Sequence, residues 1–355
     1  MKNCILIFCL IFPLFLRGFS VNENFSAVPS GGYSEETGMM IGGVIVYSGE
    51  REFAGYAPSS KNAVFQVLYS FKKQITSNII FSGTLKSLNI FDRVKLKLKK
   101  WPEDFYGFGN SSPEKNIEKF TLGEAELRNE AVRYLNGEFK ISLINSFDFV
   151  KLRNLEDDGI LINLSEKQKS YFNVGFGSGV EYDTRDDAYY PVSGVLLKLN
   201  WINFSKDLLS DFGYDEYLAD FRYYMPFGKR TLLGSQFMIN LKTGSVPFSQ
   251  LSKLGKEMRG YRSMQFIDKG MLLYRTEFRS FPFYAEALRK YGFVVFVETG
   301  QVYDKLINIS ENKMHFSYGA GFRFKLVKNE DINLRADFAL GDKGLNFSIS
   351  AREVF

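Results

Sequence analysis

Apolar and polar residues alternate along most of the chain after residue 39. In the segment 173–183 the apolar side chains share one parity, while glycines and charged residues fill the other, and 317–325 and 333–341 repeat the arrangement. Similar runs begin near Val44, Ala63, Ile79, Val94, Thr121, Phe139, Val195, Tyr217, Leu232, Leu272 and Phe293. A period of two is the repeat of a β-strand whose two faces meet different surroundings. The pattern therefore predicts a fold made of β-strands.

Two architectures give such strands. A soluble sandwich buries its apolar faces between sheets, whereas a membrane barrel turns them towards lipid. The strands here are about 9–14 residues long, against about 5–6 in soluble proteins, and their polar faces carry many charges and glycines. Aromatic residues gather near strand ends, where a barrel places its membrane-interface girdles. We predict an all-β fold, a transmembrane antiparallel β-barrel.

The same pattern sets the number of strands. About fifteen segments alternate clearly, and closed single-chain bacterial barrels have even numbers of strands. We predict 16 strands, with the missing one near GILINL at 159–164. At roughly 20 residues per strand and connection, the barrel uses all of the chain after residue 37, so we expect no separate periplasmic domain.

The first residues have the features of a secretory signal peptide: a positive start, an apolar stretch, and small residues at a plausible cleavage site. Both cysteines, Cys4 and Cys9, lie inside it, so we expect no disulfide or cysteine chemistry in the mature protein. The predicted organisation is a signal peptide at 1–20, an N-terminal lead-in at 21–36 and an outer-membrane barrel domain at 37–355.

The charge balance and the reactive residues of the chain argue against two classes of function, nucleic-acid binding and catalysis. The chain has 45 Lys and Arg residues against 40 Asp and Glu residues, interspersed along it, which does not fit nucleic-acid binding. It has one histidine, His315, and GFGSG at 175–179 is not the Gly-x-Ser-x-Gly elbow of a hydrolase. We predict that the protein is not an enzyme, with no catalytic residues, no metal and no cofactor.

Five local motifs follow one another in the order known from one family. They are GYSEETGMMIGG at 32–43, WPEDFYGFGN at 101–110, YDTRDDAYYPVSG at 182–194, LGKEMRGYR at 254–262 and FVETG at 296–300. Together they resemble the BamA/TamA-type outer-membrane barrels of the bacterial surface antigen family, and in particular its short members without periplasmic POTRA repeats. The resemblance implies a barrel whose long sixth extracellular loop folds inwards.

The family's loop arginine pairs with an acid on the inner wall, which implies that Arg259 meets Glu298. Parity supports the pair, because Glu298 lies on the face opposite the valines of FVVFVETG, which would face lipid. Gly260 allows a tight tip, and Tyr261 can lie against the wall. We call Arg259, Gly260, Tyr261 and Glu298 the loop lock; a solvent-exposed basic loop is the alternative.

A second signature lies at the end of a strand, in 182–194. Three charges within four residues, on Asp183, Arg185 and Asp186, predict a self-neutralising turn, with a divalent-cation site as the alternative. Pro191 and Gly194 then shape the turn into the next strand.

The end of the sequence, LNFSISAREVF at 345–355, resembles the C-terminal signal that outer-membrane barrels present to their assembly machinery. Phe347, Ile349 and Phe355 share one parity. Glu353 departs from the pattern, since an apolar or aromatic residue is usual there.

These features favour an outer-membrane barrel that assembles or translocates polypeptides, located in the bacterial outer membrane. Its expected partners are outer-membrane lipid, client polypeptides and a periplasmic protein that supplies the missing repeats. Two alternatives stay open: a passive pore or solute channel, and a structural surface antigen. For the pore, charges of both signs would line the lumen, on Arg275, Arg279, Arg323, Arg335, Glu277 and Asp337.

Overall fold

The computed structural model describes residues 19–22, 25–49, 53–54, 57–58, 61–85, 88–111, 117–286, 288–325, 333–342, 344–351 and 353–355. The predicted signal peptide lies outside the described residues, apart from its last two. Those two belong to a short strand, Phe19–Asn22, which pairs with the beginning of the first barrel strand.

Sixteen strands follow one another around a closed antiparallel sheet. They are β1 (Phe25–Ser34), β2 (Gly38–Ser48), β3 (Asn62–Ser70), β4 (Ile75–Leu85), β5 (Ile90–Phe105), β6 (Glu118–Tyr134), β7 (Phe139–Arg153), β8 (Ser170–Asp183), β9 (Gly194–Phe204), β10 (Tyr214–Pro226), β11 (Thr231–Gly244), β12 (Gly270–Ser280), β13 (Tyr291–Tyr303), β14 (His315–Lys325), β15 (Asn333–Gly341) and β16 (Gly344–Ala351). Each strand pairs with the next one in the chain, and β16 pairs with β1. The predicted all-β antiparallel barrel of 16 strands is confirmed.

The two faces of each strand differ in character. In β13, Val295 and Val297 are 48% and 51% exposed on the outside, whereas Val294 and Glu298 are fully buried on the inside. Successive side chains of a barrel strand point alternately to lipid and to the lumen. The outer face therefore forms an apolar band, and charged side chains gather inside.

The strand that the sequence analysis missed is β1, and the segment proposed in its place, 159–164, is wrong. That segment contains one 3-10 turn, Leu161–Asn163, whose Leu161 side chain is buried among the apolar residues under the loops. The barrel begins at residue 25 rather than at 37, so β1 lies within the predicted lead-in. Pro29 and the glycine pair that follows it interrupt the alternation, which conceals β1 in the sequence.

Helices are few and short: α1 (Glu166–Lys169), α2 (Leu254–Glu257) and single 3-10 turns at Leu161–Asn163, Lys206–Leu208, Phe248–Gln250, Leu306–Asn308 and Glu311–Lys313. Among the described residues, no helical segment has both the length and the apolar character that a membrane span requires.

The strand connections place the longest loop at the end of the barrel opposite the chain termini. This connection, residues 245–269 between β11 and β12, is called loop 6 below. The turns at the other end include the tight connections 135–138 and 227–230. Loop 6 therefore begins and ends at the end of the barrel opposite the termini.

Substituting an outward-facing residue by arginine should destabilise the barrel far more than the same change facing inwards. Leu143 in β7 is 65% exposed on the outer face, while the preceding Ser142 lies inside, beside Gly179. Arginine near the bilayer mid-plane costs about 2–4 kcal/mol. We expect Leu143→Arg to lower the urea midpoint of the barrel folded into lipid vesicles. Ser142→Arg should lower the same midpoint much less. Equal losses would contradict the assignment of the lipid face.

Candidate functional site in the barrel lumen

Loop 6 folds back into the lumen as a compact unit. Its two ends, Ser252–Lys253 and Ile267–Asp268, pair as a short antiparallel ladder, and α2 follows the first of them. Leu254 and Met258 are buried in one apolar cluster with Leu273 of the barrel wall. This packing fixes the position of the loop tip that comes next in the chain.

The tip places Arg259 among three carboxylates of the wall. Its Nε and its backbone N–H donate to Glu298 at 2.7 and 2.6 Å. Its Nη2 lies 2.5 Å from Glu277, and its Nη1 lies 3.4 Å from Asp337. The guanidinium carbon is 3.4 Å from the ring centre of Phe296, in a cation–π contact. Arg259 and Glu298 therefore touch, as the resemblance implies, but within a larger group of charges.

Arg259 and the three carboxylates are buried, so each charge needs the others for its stabilisation. The Arg259 side chain is 8% exposed, and the three carboxylate side chains are 0–1% exposed. Burial by itself would lower the pKa of the Arg259 guanidinium, but the attraction of Glu277, Glu298 and Asp337 outweighs it and raises that pKa. A buried ion whose partner is removed is strongly destabilising, because nothing replaces the lost attraction.

Gly260 and Tyr261 seat the tip against β14 and the β15–β16 turn. Gly260 has φ +87°, and a Cβ there would lie 3.1 Å from the Oγ of Ser317, so both its backbone conformation and its surroundings favour glycine. The Tyr261 hydroxyl donates to the carbonyl of Phe316 at 2.6 Å and accepts from the N–H of Asp342 at 3.3 Å. Burial raises the pKa of this hydroxyl.

Two further contacts hold the loop. The ring of His315 stacks on Phe266 at 3.6 Å, and its Nδ1 lies 2.8 Å from Asp342. On the other side, the N–H of Ser263 donates to Glu36, in the β1–β2 turn, at 3.0 Å. Burial raises the pKa of the Glu36 carboxyl. Loop 6 thus bridges the strands on both sides of the barrel closure.

The sequence was compared with models of known protein families. Residues 53–350 match the Omp85 superfamily domain. The chain belongs to the Omp85 superfamily. The predicted resemblance to BamA/TamA-type barrels is confirmed at this level, while none of the curated proteins matches the sequence significantly.

Solved structures show the same fold at low sequence identity. BamA from Haemophilus ducreyi lacking POTRA domains 1–3 gives a TM-score of 0.65 at 12% identity, over 93% of this chain and 70% of that one. CdiB from Escherichia coli gives 0.64 at 11% identity, over 94% and 64%. CdiB from Acinetobacter baumannii gives 0.58 at 13% identity, over 93% and 59%. This Omp85 chain therefore spans less than two thirds of both CdiB structures.

The sequence analysis placed several arginines in the lumen but did not pair them with the lock. Arg279 lies 2.7 Å from Glu277, and Arg323 lies 2.6 Å from Asp337. Glu277 and Asp337 are thus each shared between Arg259 and an arginine of the barrel wall. We use the name ionic cluster for Arg259, Glu277, Arg279, Glu298, Arg323, Arg335 and Asp337. Parity indicates the inward face of its strand residues, whereas the pairings of Arg259 depend on loop 6, which has no strand register.

The turn signature lies at the opposite end of the barrel and does not reach Arg259. Asp183 accepts from the Nε of Arg185 at 2.9 Å, and Asp186 accepts from two backbone N–H groups of the turn at 2.9 and 3.2 Å. Pro191 is buried. Gly194 has φ +106°, and a Cβ there would lie 2.4 Å from the carbonyl of residue 184. Asp183 is therefore neutralised by Arg185, whereas Asp186 is held by the turn backbone; the self-neutralising turn stays a prediction.

The three residues of the predicted assembly signal do not stay on one face. Phe347 and Ile349 lie in β16, and Phe347 packs against the outward Phe338 at 4.8 Å. Phe355 is instead only 6% exposed and clusters with Tyr224 in the lumen. Parity with Phe347 did not predict this position, because β16 ends at Ala351 and alternation applies only within a strand. The signalling role stays a prediction.

Removing the loop arginine should destabilise the barrel much more than removing an exposed arginine. We expect Arg259→Ala to lower the free energy of unfolding by about 3–5 kcal/mol, since it leaves buried carboxylates without their partner. Arg289, whose side chain is 49% exposed beside Glu286, is the matched control, and Arg289→Ala should cost less than about 1 kcal/mol. Urea unfolding in micelles, followed by tryptophan fluorescence, measures both. Similar small losses would show that the cluster does not lock the loop.

Proposed function

We propose that this Omp85 barrel lies in the bacterial outer membrane and takes part in assembling outer-membrane proteins or translocating polypeptides, without enzymatic activity. The observation that carries the proposal is the short ladder between the first and last strands. Membership of the Omp85 superfamily, and the likeness in fold to BamA and CdiB, support it.

Among the described residues, β1 and β16 pair at two positions, Tyr33–Ser34 against Ser348–Ile349. The neighbouring strands β15 and β16 pair over residues 334–341 and 344–351. Breaking a ladder hydrogen bond leaves two backbone groups unpaired in lipid. The barrel should therefore open first at the junction that has the fewest ladder hydrogen bonds.

An opened seam presents two strand edges with free N–H and C=O groups. In hydrocarbon these groups must find partners, and an incoming β-strand supplies them by extending the sheet. A client polypeptide strand is therefore the ligand that an open seam would take. Outer-membrane lipid surrounds the barrel, and a periplasmic protein that presents the client is the further partner we propose.

The loop lock lies beside this seam. Asp337, which contacts Arg259, sits opposite Ser348 in the β15–β16 ladder, and Ser348 sits opposite Ser34 in the seam. We propose that the lock keeps the wall next to the seam in place while the seam itself moves.

The first test is to deplete the protein in its native host and to quantify the outer-membrane proteome. We expect a broad fall in other barrels, with unfolded precursors in the periplasm. An unchanged proteome would reject the assembly role and favour a passive channel or a surface antigen that keeps the fold.

The second test closes the seam covalently. The sequence has no cysteine beyond Cys9, and residues opposite each other in antiparallel strands are close enough for a disulfide. We expect Ser34→Cys with Ser348→Cys to fail to complement the depleted host when oxidised, and to complement it after reduction.

A disulfide elsewhere in the wall provides the control. Ser235 and Thr276 face each other in β11 and β12, with their hydroxyl oxygens 3.0 Å apart. Cysteines at these two positions should complement in both redox states. If the oxidised seam variant complemented equally well, opening of the seam would not be part of the function.

A further inference from the structure

The outer surface of β5, β6 and β7 carries exposed cations at the end of the barrel opposite the chain termini. Lys100 of β5 and Lys151 and Arg153 of β7 are exposed, whereas Val150, which precedes the β7 pair, is fully buried on the inside. On the other described strands, the outward-facing positions at this end carry a single charge, that of Asp215 in β10. The cations are therefore concentrated on one side of the barrel.

Strand register places two of these cations on either side of a gap. Lys100 and Lys151 both lie opposite Gly123 of β6, so the three residues form one row across the sheet. Neighbouring strands are about 4.8 Å apart, which separates the two lysine backbones by about 10 Å. Gly123 has no side chain to fill the space between them. Both ammonium groups can therefore reach one anionic group that lies over Gly123.

Among the residues that the structure describes, none of these three cations forms an ion pair. Lys119 of β6, a fourth exposed cation of this surface, differs from them. Asp104 lies opposite Lys119 in the ladder, and Glu156 accepts from its backbone N–H at 3.2 Å, so acids already surround it. We use the name headgroup site for the remaining group: Lys100, Gly123, Lys151 and Arg153.

An apolar surface lies directly beneath the headgroup site. Leu98, Ala125 and Phe149 form the next outward row towards the middle of the barrel, and Leu98 and Phe149 are 43% and 49% exposed. On β5, the outward residues between Asp92 and Lys100 are all apolar. At the usual strand rise and tilt, this stretch spans about 20 Å along the barrel axis, against about 25 Å for an apolar membrane band. Lys100 therefore lies where lipid headgroups begin.

We propose that the headgroup site binds a lipid with an anionic phosphate headgroup, whose acyl chains lie on the apolar row of Leu98 and Phe149. Ammonium and guanidinium groups form charge-assisted hydrogen bonds with phosphate oxygens. A free phosphate ion would meet the same cations but would gain nothing from the apolar row, so a lipid is the occupant that fits the whole surface. The inference rests on the membrane position proposed above and not on a role in assembly, so its failure would leave that role standing.

The test compares two lipids by native mass spectrometry of the full-length protein, folded in a neutral detergent. Each cation near a membrane surface strengthens the binding of anionic lipid by about fivefold. We therefore expect phosphatidic acid to bind at least about tenfold more tightly than zwitterionic phosphatidylcholine. Lys100→Gln with Lys151→Gln should weaken the binding of phosphatidic acid by about tenfold or more. Lys100→Arg with Lys151→Arg should keep the preference, because arginine also binds phosphate.

A matched control removes the same charge elsewhere. Arg133 and Arg289 are exposed near the end of the barrel that carries the termini, so Arg133→Gln with Arg289→Gln should keep the preference for phosphatidic acid. Heat-modifiable mobility in gels checks that each barrel is folded.

Inorganic phosphate separates the lipid from its phosphate group alone. At the same concentration as the lipid, it should displace little phosphatidic acid, because it has no acyl chain. The proposal is overturned if inorganic phosphate competes as well as the lipid does. It is also overturned if the glutamine pair at the headgroup site binds phosphatidic acid as tightly as the unaltered protein, or if the control loses as much affinity.

Discussion

In hydrocarbon, a backbone N–H or C=O without a partner costs several kcal/mol, and this constraint organises the whole barrel. It requires the sheet to close, and sixteen strands close it with a long ladder at every junction except that between β16 and β1. At the seam, two residue pairs join β1 to β16. The short strand Phe19–Asn22 covers part of the remaining edge of β1, while the chain beyond β16 turns inwards. The seam is therefore where backbone pairing is least complete in the described sheet.

Charges inside the barrel meet a similar constraint. A buried guanidinium needs carboxylates around it, and the ionic cluster supplies them by sharing. Glu277 lies between Arg259 and Arg279, and Asp337 lies between Arg259 and Arg323. Arg279 and Arg323 also contact Phe355 and Glu353, which follow β16, so loop 6 and the end of the chain share the acids Glu277 and Asp337. Moving either element alone would change the electrostatic environment of the other.

The alternation of residues was enough to predict the barrel, its antiparallel order and which residues face inwards, because strand parity is a local property. The pairing of Arg259 with Glu298 was predicted from a family motif, and the parity of β13 supported it. The acids Glu277 and Asp337 could be placed in the lumen but not against Arg259, since their contact depends on how loop 6 packs. The inward turn of Phe355 was beyond reach, because alternation gives no information once a strand has ended.

Two of the places where the strand prediction failed lie on opposite sides of one junction. β1 is concealed by Pro29 and its glycines, and β16 gives way to a tail whose Glu353 is paired in the lumen. Elsewhere in the described sheet, local sequence and strand pairing agree. Natural proteins depart from such consistency mainly at functional sites. If the seam opens for a client strand, as we propose, its edges should not carry a sequence that binds one partner best, and the irregular residues of β1 and of the segment after β16 agree with that requirement.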